Sequence, residues 1–139
     1  MVDSQHIRSV DLLCWMGAHG GIRYGKDKID EAIDYTNKMA HDGRIIEIKD
    51  GEGLHTVIFF SICKTIEDFY KKKTWEYREH DPQGHIWYAE KAVSRGWTKD
   101  IRNQLKQLML QRFPKLRIGK WHRWGKKSDR PVTIRRNDG

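Results

Sequence analysis

Residues 84–124, GHIWYAEKAVSRGWTKDIRNQLKQLMLQRFPKLRIGKWHRW, hold two sets of residues whose types and spacing suit an anion. The first is Ser94-Arg95-Gly96-Trp97-Thr98-Lys99, a small-residue break directly ahead of an amphipathic run. The first amides of a helix have no intrahelical acceptor and the helix dipole favours negative charge, so such a break can hold a phosphate, with Arg95 and Lys99 adding charge. The second set is Trp121, Arg123, Trp124, Lys126, Lys127 and Arg130, in which aromatic rings interleave with cations. That combination offers stacking faces and phosphate partners to a nucleic acid. Each set also has a plainer reading: the break as an ordinary turn, Trp121 as a core residue on a strand, and the cations as a solvated surface.

The charge distribution supports a polyanionic partner. The chain of 139 residues carries a net charge of +8, and residues 115–139 alone carry nine Lys or Arg against Asp129 and Asp138. A basic end of this kind points to nucleic acid or to a phosphate-bearing cofactor, with a solvated basic tail as the alternative. Metal chemistry and a disulfide framework are not expected. Cys14 and Cys63 stand alone, without CxxC or histidines at zinc spacing, and read as buried thiols. His55, His85 and His122 fall near strand ends, where a lone histidine is usually a surface or hydrogen-bonded residue. No basic-then-apolar leader opens the chain and no 18 apolar residues run together, so a cytoplasmic, non-membrane protein is expected.

The elements that must position these residues follow from periodicity. HIRSVDLLCWMGAHGG places Ile7, Val10, Leu13 or Cys14, and Gly17 on one helical face and breaks at Gly20-Gly21. KDKIDEAIDYTNKMAHDG puts Ile29, Ala32, Ile33, Thr36, Met39 and Ala40 on one stripe and stops at Gly43. RIIEIKD and LHTVIFFSIC, separated by Gly51-Glu52-Gly53, predict an antiparallel hairpin. TWEYREH and GHIWYAEKAV predict two more strands around the turn Asp81-Pro82-Gln83-Gly84. Thr98 is placed to cap a helix whose apolar positions are Ile101, Leu105, Leu108, Met109 and Phe113. LRIGKWHRW and PVTIRR predict the closing strands. With no repeat and no proline-rich linker, residues 1–139 read as a single domain with a strongly basic C-terminal segment at 115–139. The fold class is α+β, with a mixed, mostly antiparallel sheet flanked by helices.

This order, with a strand-turn-helix-strand unit in the second half, resembles the GNAT acyltransferases (acyl-CoA N-acyltransferase-like) over about residues 26–124. The resemblance implies transfer of an acyl group from acetyl-CoA or another acyl-CoA to an amine. It implies that GHIWYAEKAV lines the acyl group, that the strands before and after the long helix splay to admit the pantetheine arm, and that Ser94, Arg95, Gly96, Trp97, Thr98 and Lys99 form the pyrophosphate turn. Thr98 and Asp100 stand where the family has small residues. Acyl transfer needs a base for the amine and an acid for the leaving thiolate. Glu90 and Tyr88, on one side of the same strand by alternation, would take these roles. The bland reading of both is a polar face of a sheet.

Two other classes remain. The helix, glycine break, helix and hairpin of the first half also fit a winged helix, but Asp27, Asp30, Glu31, Asp34 and Asp42 on the would-be recognition helix would repel DNA. The last is a GNAT-like fold without transferase activity, kept for assembly, for example in a bacterial virus.

Overall fold

The structure, a computed structural model, describes residues 4–20, 28–65, 67, 73–116, 118–121 and 132–135. Helix α1 (Ser4–Gly20) buries Ser9, Leu12, Leu13 and Met16. This face is turned from the one the sequence predicts: Ile7 is 51% exposed and Cys14 is exposed, whereas Cys63 is buried. The Leu12-Leu13-Met16 trio outweighs single Ile7 as an apolar anchor. Ser9, beside it, donates to Asn37 Oδ1 at 2.5 Å and so ties α1 to α2.

Helix α2 (Ile29–His41) buries Ala32, Tyr35, Thr36 and Met39, an i, i+3, i+4, i+7 set. It ends on Gly43, whose φ of 69° lies in the left-handed region. The Gly43 amide donates to Ala40 O at 3.0 Å and the Arg44 amide to Met39 O at 2.9 Å, the two bonds of a Schellman stop. The stop turns the chain directly into the sheet at Arg44.

Strands β1 (Ile45–Asp50), β2 (Gly53–Cys63) and β3 (Ile86–Ser94) pair antiparallel in sequence order. Helix α3 (Lys99–Arg112) then carries the chain across to β4 (Ile118–Trp121), which runs parallel to β3, and β5 (Val132–Arg135) pairs antiparallel with β4. The protein is thus α+β, and its sheet has the order β1-β2-β3-β4-β5.

Strand alternation sorts the core into two layers. Ile46, Ile48, Ile58, Phe60, Ile62, Trp87 and Ala89 pack with Ile101, Leu105 and Met109 of α3. Val57, Phe59 and Val93 pack with residues of α1 and α2 and with Trp75. Each buried Leu, Ile, Phe or Met contributes roughly 1.5–3 kcal/mol, so the sheet is held from both sides.

The strand expected at 74–80 does not form. Trp75 and Tyr77 alternate toward the α1–α2 layer as a strand would place them, yet the segment makes no ladder. The pairing of β1 with β2 stops at Ile45↔Phe59, and beyond it Arg44, His80 and Asp81 bond the edge of β2 instead. Arg44 Nε donates to Phe60 O at 3.1 Å, the Ile62 amide donates to His80 Nδ1 at 3.0 Å, and the Asp81 amide donates to Ile62 O at 2.9 Å.

Candidate functional site

The site begins with one extra residue in β3. The β2–β3 register passes from Phe59↔Lys91 to Phe60↔Ala89, leaving Glu90 without an opposite number. Such a bulge interrupts the ladder and re-aims side chains. Here it sends two consecutive residues toward α2 and Trp75. Tyr35 of α2 donates to Glu90 Oε1 at 3.0 Å, and Lys91 Nζ lies 4.2 Å from the ring centre of Trp75 and 5.6 Å from that of Tyr35.

Glu90 is buried and accepts from three donors. Besides Tyr35, Arg44 Nη2 reaches its Oε2 at 3.2 Å and the Ser61 hydroxyl donates to the same oxygen. Arg44 is fully buried. Its Nη1 also donates to Arg78 O at 2.8 Å and to Asp42 Oδ2 at 3.3 Å, and its Nη2 donates to Ser61 Oγ. The planar, always-charged guanidinium therefore joins the end of α2, β2, β3 and the 76–81 segment at one point.

The surrounding groups titrate accordingly. Burial, then the Glu90 charge and hydrogen bond, push the Tyr35 hydroxyl well above its ordinary value. Burial and then the Arg44 guanidinium draw His80 down to about 4. At Asp42 burial acts upward, but hydrogen bonds from Tyr77 and Arg44 outweigh it and lower the carboxyl. Tyr88 sits opposite Ser61 in register, buried with Cys63 and Ile86. Tyr88 thus faces, across the ladder, the residue whose hydroxyl donates to Glu90.

At the Ser94–Lys99 turn the side chain of Arg95 is engaged within the protein. Arg95 Nη2 donates to Asp50 Oδ1 at 2.6 Å, Nη1 to Glu52 Oε2 at 2.8 Å and Nε to Leu54 O at 2.9 Å. Its guanidinium grips the β1–β2 hairpin tip. Asp50 is lowered in response, first by the Glu52 amide and then by Arg95. Ser94 Oγ bonds Thr56 Oγ1 at 2.7 Å and accepts from the Gly96 amide at 3.1 Å. Thr98 caps α3 as predicted, its Oγ1 accepting from the Ile101 amide at 3.2 Å. Trp97 is 46% exposed, Lys99 is exposed, and a Cβ on Gly96 would meet nothing within 4 Å.

Of the basic aromatic set, Trp121 ends β4, while Arg123, Trp124, Lys126, Lys127 and Arg130 lie outside the described residues, as does His122. Sequence reasoning missed Tyr35, Arg44, Ser61, His80 and Lys91. Tyr35 was recoverable by starting the α2 stripe at Ala32, and Arg44 by noting a cation directly after a helix-ending glycine; the bulge that turns Lys91 inward left no local signal.

Among the described residues no helix is long and apolar enough to cross a membrane, and no group of three or more His, Cys, Asp or Glu is placed to hold a metal ion. Comparison with protein-family models, with curated proteins and with solved structures gives no match for the chain.

Proposed function

We propose that the chain is a GNAT-like acyltransferase that binds an acyl-CoA beside β3 and passes the acyl group to an amine. One observation carries this reading. β3 (Ile86–Ser94) and β4 run parallel on either side of the α3 crossover, in register from Ile86↔Ile118 to Ala89↔Trp121. The later half of β3 is paired on its β2 side and leads straight into the turn that starts α3. Two parallel strands joined through a helix whose N-terminus directly follows the first of them suit an extended arm ending in a pyrophosphate.

In this reading the phosphates meet the first-turn amides of α3 and the Lys99 ammonium, with Gly96 giving a close approach. Arg95 shapes the turn by holding it to the hairpin instead of meeting the phosphates. The amine nitrogen attacks the thioester carbonyl, the C–N bond forms, the C–S bond breaks, and the thiolate takes a proton. Tyr88 is the assigned donor of that proton. Glu90, with its oxygens taken by Arg44, Ser61 and Tyr35, is assigned to keeping the bulge in shape, so the base is an unidentified group or water.

Isothermal titration calorimetry with acetyl-CoA tests the binding half. Wild type should bind, and Gly96→Asp should lose measurable binding while keeping its far-UV circular dichroism, because the added side chain has room but places a carboxylate beside the phosphates. Equal affinity in the folded variant would remove the turn from the site.

A further inference from the structure

Where β1 stops covering β2, residues 76–81 take its place through a histidine ring. The Ile62 amide, on a wholly buried residue, has His80 Nδ1 as its acceptor at 3.0 Å. That geometry requires an unprotonated Nδ1. A proton there would set N–H against N–H and leave a buried amide unsatisfied, which a folded protein avoids at considerable cost. We infer that residues 76–81 form a strap over the edge of β2 that acid releases, through protonation of His80 at the nitrogen that accepts the Ile62 amide.

The groups facing His80 come from every neighbouring element. Arg44, between α2 and β1, opposes a proton on the ring, as does burial. Asp42 at the end of α2, Glu90 on β3 and Asp81 on the strap favour it. Burial and Arg44 win, so the ring stays neutral to about pH 4 while the strap is closed. The other end of the strap behaves differently. Tyr77 donates to Asp42 Oδ2 and Arg44 Nη1 to Arg78 O. Asp42 is held below its usual range by Tyr77 and Arg44, so that attachment keeps its charge while the His80 end lets go. Opening frees the amide and carbonyl of Ile62, an unpaired strand edge.

The sign follows from the lowered value. The open state binds the proton near the ordinary histidine value and the closed state only near 4, so closure is favoured at neutral pH and lost as pH falls through this window. One proton per opening event should reduce the protection of the Ile62 amide about tenfold per pH unit there. Hydrogen exchange read by NMR between pH 7 and 4 tests this, with the Val57 amide as a reference in the middle of β2. Expected are an Ile62 protection factor below that of Val57 and falling with pH, and a flat Ile62 profile in His80→Asn, whose side-chain oxygen keeps an acceptor that does not ionise. An Ile62 protection factor no lower than that of Val57, or the same slope in His80→Asn, would overturn the strap. The His80 ring titration in wild type stands independently of any variant: a midpoint near 4 supports the inference, and one near 6.5 with unchanged Ile62 protection refutes it.

Discussion

Arg44 is the residue on which most of the molecule's polar interior depends. Its guanidinium serves two backbone carbonyls, Ser61, Asp42 and Glu90 with no exposure to solvent. Removing one member of a buried ion pair leaves the other charged and unsatisfied, at about 3–5 kcal/mol. Arg44→Ala should therefore lose about that much stability in urea unfolding, and a loss below about 1 kcal/mol would contradict the network. Arg44→Lys should also be destabilising, since a point-like ammonium cannot reach five acceptors held in a fork. The position of Arg44 after the helix-ending Gly43 could be read from the sequence, but its five partners could not. What could be read was Glu90 and Tyr88 on one face; that Glu90 is committed to three donors depends on Arg44, Ser61 and Tyr35, which lie 46, 29 and 55 residues away in sequence.

At the scale of elements, glycines separate positions where the fold is tight from those where it is open. At Gly84 a Cβ would stand 2.5 Å from the Cys63 carbonyl carbon and oxygen, which are backbone and cannot step aside. At Gly96 it would meet nothing. Gly84→Ala should cost at least about 1–3 kcal/mol and Gly96→Ala should lie within about 0.5 kcal/mol of wild type, both by urea unfolding; the reverse order would contradict the packing of the 81–84 turn on β2. Helix α3 was the most legible element because the Thr98 cap and the Ile101, Leu105, Met109 spacing agree. The α2 stripe was read from Ile29, which is exposed, and so missed Tyr35. The 74–80 stretch shows why alternation alone does not make a strand: Trp75 and Tyr77 bury with period two, but Arg44, His80 and Asp81 take the edge groups a ladder would need.

For the whole molecule, the two-sided sheet and the order of elements, apart from the strand expected at 74–80, were readable from periodicity. The parallel β3–β4 pair was implied only by the strand-helix-strand order, since a helix between adjacent strands permits it. Charge placement divides the chain. The described core has its ionic groups largely matched within itself: Arg95 is spent on Asp50 and Glu52, and Arg44 on Glu90 and Asp42. The excess positive charge belongs to residues 115–139. An acyl-CoA and a single-stranded nucleic acid would both respond to that excess, but only the first also needs the turn before α3.

Thermal unfolding with acetyl-CoA, free CoA and a short single-stranded DNA, each at low and moderate salt, separates the two. A ligand at about 100 times its dissociation constant stabilises a fold by about 2.7 kcal/mol, whereas binding built on phosphate contacts to the nucleic-acid backbone weakens steeply with salt. The acyltransferase reading predicts a rise in midpoint with both CoA compounds that persists at moderate salt. No rise with either, or a rise with DNA alone that vanishes as salt increases, would contradict it.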